Sequence, residues 1–197
     1  MTFDDFKALV GLTFRDPVTA ARSLIEMNWP LSVRWMGLFL AVSVSALLAW
    51  LSSQLFPIPE AEGMPVLSLT AQPLVLAIVQ LFAIVLAASL MTGVGRIFGG
   101  RGSFEDALLL TVWIEIVLLL VQVVQLGASL ILPGLSGILG ILAIVLFVWL
   151  TVQFTKALHG FTSGGKVLLG LIGTAFIAGF VLSIIAASFG LLPEVPQ

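Results

Sequence analysis

Apolar residues occur in long runs along this sequence, and short polar segments separate the runs. A helix needs about 20 residues to cross a bilayer core about 30 Å thick, and several runs reach that length. The run 107–155 carries a single charge, Glu115, and as one helix it would measure roughly 73 Å. We therefore expect it to fold back at Leu132-Pro133-Gly134, where proline and glycine interrupt the run.

The pattern predicts an all-α polytopic membrane protein, a bundle of five transmembrane helices preceded by an amphipathic N-terminal helical segment. The transmembrane domain covers residues 35–190, with a lead-in of residues 1–34 and a short external tail of residues 191–197. The expected spans are residues 35–56, 74–95, 107–130, 136–155 and 167–189. Proline interrupts helices, and all nine prolines fall in predicted loops or near predicted span ends.

The lead-in has helical periodicity, because Phe3, Phe6 and Leu9 recur at helical spacing with charged residues between them. Asp16-Pro17 predicts a helix start, with aspartate as the N-cap and proline in the first turn. Two interpretations suit this pattern. The helices pack on the membrane domain, or they form an interfacial anchor or docking segment on the cytoplasmic side.

Composition agrees with a membrane protein and excludes several functions. Charged residues make up 9% of the chain and hydrophobic residues 60%, whereas soluble domains carry about 25% charged residues. The net charge of −2 argues against nucleic-acid binding, which needs a basic field. The sequence has no cysteine, so it offers no disulfide framework, cysteine-ligated zinc cluster or thiol nucleophile.

Basic residues predict the orientation. All eight lie in the lead-in or in the segments after spans two and four: Lys7, Arg15, Arg22, Arg34, Arg96, Arg101, Lys156 and Lys166. In a five-span topology these segments share one side, which the positive-inside rule assigns to the cytoplasm. We expect a multi-pass protein with a cytoplasmic N-terminus and an external C-terminus.

Two ladders of small residues lie on the first and last spans. Their members are spaced four apart: Ala41, Ser45, Ala49 and Ser53 on the first, and Ala175, Gly179, Ser183 and Ala187 on the last. Small residues let helix backbones approach closely in a bilayer. The ladders are candidates for packing between spans of one chain, or for contact with a membrane-protein partner or a second copy.

Glu115 is the only acidic residue inside a predicted span, and it lies near the expected midplane of the bilayer. Gln122 follows two turns later on the same face, Gln125 is offset from it, and Gln80 reaches a similar depth on span two. We expect no lysine or arginine in any span to pair with Glu115. These residues predict either a proton or cation site or a neutral contact between helices.

The connecting segments provide no recognisable catalytic constellation. His159 and Gly160 are predicted to lie in the loop after span four, with no nucleophile and orienting acid in the pattern that a hydrolase needs. Gly99-Gly100-Arg101-Gly102 lacks the lysine and hydroxyl of a P-loop and is expected to form a turn. The sequence predicts no catalytic residues, no metal site, no cofactor and no enzymatic activity.

The same segments resemble the YIP1 family of integral membrane proteins. The resemblance rests on residues 98–107 (FGGRGSFEDA), 157–161 (ALHGF) and 165–168 (GKVL), together with Arg15-Asp16-Pro17 and the five-span layout. It implies a five-helix membrane domain with a cytoplasmic N-terminus. Eukaryotic members act in vesicle traffic with Rab-type GTPases and carry a long polar N-terminal region. The short lead-in here resembles bacterial members, which implies the bacterial inner membrane. Trp113-Ile114-Glu115 stands where the family pattern has tyrosine and proline.

Two functional hypotheses follow. The first is a non-enzymatic scaffold, assembly factor or accessory subunit that acts by helix-mediated association in the lipid bilayer. The second is a small oligomeric transporter or channel in which Glu115 binds a proton or cation. A pore needs polar stripes on several helices, and the sequence shows one on span three alone.

Overall fold

The computed structural model describes residues 2–56, 72–132 and 135–188, and all the regular secondary structure in these ranges is helical. The predicted loop at 57–71, the turn at Pro133-Gly134 and the tail 191–197 lie outside the described residues, as do the side chains of 136, 182 and 185–187. The helices are α1 (Phe3–Arg15), α2 (Pro17–Glu26), α3 (Leu31–Leu55), α4 (Pro73–Ile97), α5 (Phe104–Ile131), α6 (Leu135–His159) and α7 (Gly164–Ser188).

Helices α3 to α7 are long and apolar enough to cross a membrane. The candidate spans are Leu31–Leu55, Pro73–Ile97, Phe104–Ile131, Gly137–His159 and Gly164–Val181. The prediction of an all-α polytopic membrane protein is confirmed. The helices extend a few residues beyond the predicted spans, mainly at the end of the bundle that carries Arg34, Arg96, Arg101, Lys156 and Lys166, which we call the basic end.

Local caps explain where the helices begin. Asp16 is the N-cap of α2, where its carboxylate accepts from the Thr19 backbone N–H at 3.1 Å. Bonds from the Thr19 hydroxyl and backbone N–H hold the pKa of Asp16 below its usual value. Ser103 is the N-cap of α5 and accepts from the Asp106 N–H at 3.1 Å. Its hydroxyl also donates to the Asp106 carboxylate at 2.6 Å. The helix start predicted at Asp16-Pro17 is confirmed.

The lead-in helices are packed on the membrane-spanning helices. Ala20, Ala21 and Leu24 of α2 are fully buried, and α2 contacts both α5 and α6. On α1, the hydroxyl of Thr13 accepts from the indole N–H of Trp113 at 3.0 Å, which joins the first helix to α5. Helices α3, α4 and α6 surround α5, and α1 and α2 add further contacts, so the first half of α5 is buried on nearly every side.

Arg34 lies inside helix α3, contrary to the expectation that it precedes the first span. Pro30 is the N-cap of α3, so the helix begins earlier than predicted. The Arg34 side chain is 3% exposed, and its Nη1 pairs with Oδ1 of Asp106 at 2.9 Å. Its Nε donates to the Trp29 carbonyl oxygen at 2.9 Å. One buried arginine therefore joins α3 to the start of α5 and to the segment before α3.

Asp106→Ala is expected to lower the free energy of unfolding by about 2–3 kcal/mol, because it leaves the Arg34 charge buried without its partner. Glu105→Ala is the matched control, since Glu105 is also acidic and in the first turn of α5 but is exposed. Thermal unfolding in detergent measures both variants. Equal loss of stability in the two variants would contradict a stabilising role for the ion pair.

Candidate functional site

Three helices contribute polar side chains to one cluster within the membrane-spanning region. The amide Nε2 of Gln80 on α4 donates to Oε1 of Glu115 on α5 at 2.6 Å. The same nitrogen donates to the hydroxyl oxygen of Ser45 on α3 at 3.0 Å. Glu115 is eleven residues beyond Phe104, so it lies roughly 16 Å from the start of its helix. The cluster is therefore well inside the bilayer.

The small size of Ser45 explains why these side chains meet. Ser45 belongs to the small-residue ladder of α3, in which Ala41 and Ser45 are buried and Ala49 and Ser53 are half-buried. The ladder lets α4 and α5 approach α3 closely. Gln80 can then reach Ser45 and Glu115 at once. The α3 ladder thus serves packing within the chain and also supplies a hydroxyl to the polar cluster.

A cavity of about 380 Å³, open to the outside of the bundle, adjoins this cluster. Its polar lining consists of Ser45 and the four predicted polar residues, Gln80, Glu115, Gln122 and Gln125. Its apolar lining consists of Leu118, Ala143, Ile144 and Phe147. Glu115 contributes the only ionisable side chain among these lining residues. The polar lining comes from α3, α4 and α5. Ser45 and Gln80 thus add one polar residue each from α3 and α4 to the polar stripe that the sequence shows on span three.

Sequence reasoning assigned Ser45 to packing and missed its place at the cavity. The sequence shows that Ser45 and Gln80 are polar residues in two apolar helices. It does not show that they lie opposite each other, because that depends on how α3 packs against α4. Elsewhere, the residues that the structure describes contain no group of three histidine, cysteine, aspartate or glutamate side chains that could hold a metal ion.

His159 forms a second polar centre, at the basic end. The predicted loop position was wrong: His159 is the last residue of α6 and is 7% exposed. The helix ends at His159 because the next residue, Gly160, has φ of +72°, a left-handed conformation that commonly follows the last residue of a helix. Helix α4 ends in the same way at Gly99, with φ of +85°. The Gly100 N–H then donates to the Gly95 carbonyl at 2.8 Å.

Both ring nitrogens of His159 are bonded to backbone groups. Nδ1 accepts from the Gly102 N–H at 3.1 Å, so the ring proton is on Nε2, which donates to the Met91 carbonyl oxygen at 2.9 Å. The ring also stacks on Phe161, with 5.3 Å between centroids. The imidazole therefore joins the ends of α4 and α6 to the segment before α5.

Glycines form the walls around this imidazole. A Cβ atom built at Gly95, Gly100 or Gly102 would overlap the ring or its neighbour Leu158. Arg96 also binds this segment, because its Nε donates to the Gly102 carbonyl oxygen at 3.0 Å. The side chain of Arg101 is exposed. The glycine-rich segment is thus a close-packed receptor for a histidine side chain. A turn was predicted there, and the histidine contact was not.

The ladder on α7 differs from the ladder on α3. Ala175, Gly179 and Ser183 are exposed, and a Cβ built at Gly179 meets no atom within 4 Å. The Ala187 side chain lies outside the described residues. Helix α7 contacts α6 and, to a smaller extent, α4. Among the described residues, therefore, the α7 ladder does not pack against another helix of the chain.

Gly95→Ala is expected to lower the free energy of unfolding by about 1–3 kcal/mol, because the added methyl group overlaps the His159 ring. Gly93→Ala is the control on the same helix. A Cβ at Gly93 meets nothing within 4 Å, and alanine is the better helix former, so this variant should be neutral or slightly stabilised. The midpoints of thermal unfolding in detergent test the difference. Equal midpoints would rule out tight packing at Gly95.

Comparison with protein families identifies one that covers most of the chain. The model of the Yip1 domain family matches residues 11–185, a range that includes α3 to α6 and nearly all of α7. Comparisons with curated proteins and with solved structures gave no match. The matched range contains the glycine-walled histidine and the polar cluster around Glu115. The chain belongs to the Yip1 family of membrane proteins.

Proposed function

We propose that the protein is non-enzymatic and acts by helix-mediated association, as a scaffold, assembly factor or accessory subunit of a membrane complex. The observation that carries this proposal is the exposed small-residue ladder of α7. In a bilayer, apolar burial does not drive helices together, so close approach of backbones decides which faces associate. The α7 ladder offers such an approach and lacks a partner among the described helices.

The comparable ladder on α3 supports this use of α7. Ala41 and Ser45 of α3 pack inside the chain, against neighbouring helices. A face of the same composition on α7 is open along Ala175, Gly179 and Ser183. The proposed occupant of this face is a helix of another membrane protein or of a second copy of the chain.

The proposed location is the inner membrane of a bacterium, with a cytoplasmic N-terminus and an external C-terminus. Arg34, Arg96 and Lys156 lie close to helix ends that share one end of the bundle, and Arg101 and Lys166 are in the adjoining segments. Basic residues are retained on the cytoplasmic side of membrane proteins. The basic end then faces the cytoplasm, and the lead-in helices lie on that side.

Gly179→Leu is expected to preserve the fold, because the added side chain projects into open space, and to abolish association through α7. Gly173→Leu is the matched control, since Gly173 lies on another exposed face of α7 with no atom within 4 Å of its Cβ. The tagged variants are purified from native membranes in mild detergent, sized, and analysed for co-purifying proteins. A complex of unchanged size and composition in Gly179→Leu would refute association through the ladder.

A second candidate function, transport of a proton or cation, is favoured by the cavity at Glu115. Its polar lining comes from three helices, and polar or ionisable residues inside a membrane bundle mark substrate and ion pathways. The first candidate is preferred because its interaction surface is directly exposed, whereas a route from the cavity to both sides of the membrane would also be needed for transport.

Glu115→Gln is expected to abolish ion flux if Glu115 carries the transported ion, since the amide can neither release a proton nor neutralise a cation. The measurement is proton and Na⁺ flux in liposomes containing the purified protein, with Glu105→Gln as the control for an exposed carboxylate. Wild-type flux no higher than in empty liposomes would exclude this candidate.

A further inference from the structure

Glu115 is a carboxyl group in an apolar bundle, and none of the described residues that line the cavity carries an opposite charge. The other polar residues at the cavity are neutral: Ser45, Gln80, Gln122 and Gln125. An uncompensated carboxylate at this depth is costly, so the group is neutralised either by a proton or by a bound cation. The composition of the cavity decides which cation it could hold.

The polar lining has the composition of a site for a small monovalent cation. Its possible ligands are hydroxyl, amide and carboxylate oxygens, which bind hard cations, while imidazole and thiol ligands for softer metals are not among the lining residues. One carboxylate balances one positive charge, whereas calcium sites usually gather several carboxylates. The volume of about 380 Å³ also leaves room for water molecules to complete the coordination.

Gln80 can change the character of the cluster without moving its backbone. In the structure its amide nitrogen donates to the oxygens of both Ser45 and Glu115. Those two oxygens are thus brought close together around one hydrogen-bond donor. The terminal torsion of glutamine has a broad, roughly two-fold preference. Rotation about it brings the amide oxygen, in place of the nitrogen, beside the oxygens of Ser45 and Glu115, so that the cluster offers three oxygen ligands instead of two.

We propose that this cavity binds a small monovalent cation, with Na⁺ as the probe, in competition with the proton of Glu115. Glu115 supplies the charge, and Ser45 and the rotated Gln80 supply neutral oxygen ligands. The site rests on the second candidate function, transport, but binding at the site does not require that the ion be carried across the membrane.

Carbodiimide labelling tests the competition directly, because the reagent adds to protonated carboxyl groups. The purified protein in detergent is treated at several pH values in NaCl or in choline chloride at equal ionic strength, and labelling of Glu115 is measured by mass spectrometry. Labelling should slow about tenfold when Na⁺ is present at roughly ten times its dissociation constant. Lowering the pH should restore the rate, because protons then displace Na⁺.

Variants separate binding from general effects of salt. Ser45→Ala keeps a small side chain and should weaken the protection by Na⁺ relative to its own labelling rate in choline chloride, because one oxygen ligand is removed. Glu105→Gln changes an exposed carboxylate and should behave as wild type. Equal labelling rates in NaCl and choline chloride at every pH would overturn the proposal and leave a proton site.

If Glu115 does not react with the carbodiimide, thermal unfolding provides a second test of Na⁺ binding. NaCl should raise the midpoint of thermal unfolding above that in choline chloride, and Glu115→Gln should remove the difference. Identical midpoints for the wild type would overturn the proposal. Na⁺ protection without ion flux would refute transport but retain the binding site. Proton flux without Na⁺ protection would support transport and refute the cation site.

Discussion

The imidazole of His159 holds the basic end of the bundle together. Hydrogen bonds to Gly102 and Met91 use both of its ring nitrogens, and each reaches a different part of the chain. Buried backbone N–H and C=O groups are nearly always hydrogen-bonded. The His159 ring, which belongs to α6, bonds the Met91 carbonyl inside α4 and the Gly102 N–H just before α5. The glycines around the ring are required by this contact, since any Cβ there would occupy its space.

Periodicity and composition were sufficient to predict the helices but not the contacts among them. The five spans follow from the length of the apolar runs, because a bilayer requires helices that satisfy their own backbone hydrogen bonds. The caps at Asp16 and Ser103 follow from local chemistry. The burial of Arg34 and His159 could not be predicted, because each is paired with a residue more than fifty positions away. A charged or polar residue near a span end looks the same in the sequence whether it faces water or a distant partner.

The polar cluster illustrates the same limit inside the bilayer. Glu115 and Gln80 stand out in apolar runs, so their importance was visible in the sequence. Ser45 did not stand out, because serine is common among small residues at helix interfaces. Only the approach of α3 to α4 and α5 turns that packing residue into a hydrogen-bond partner of Gln80. In this bundle, therefore, close packing and polar chemistry are combined at one residue.

The contact between Thr13 and Trp113 has a consequence for biogenesis. The two residues are 100 positions apart, so α1 cannot reach its final position until the third span has been synthesised. At elongation rates of about 5–20 residues per second, that interval is about 5–20 s. During it, the apolar faces of α1 and α2 are outside the bundle although the first span has already emerged. The first helix to be made therefore cannot complete its packing before the first two spans and the start of the third have also been made.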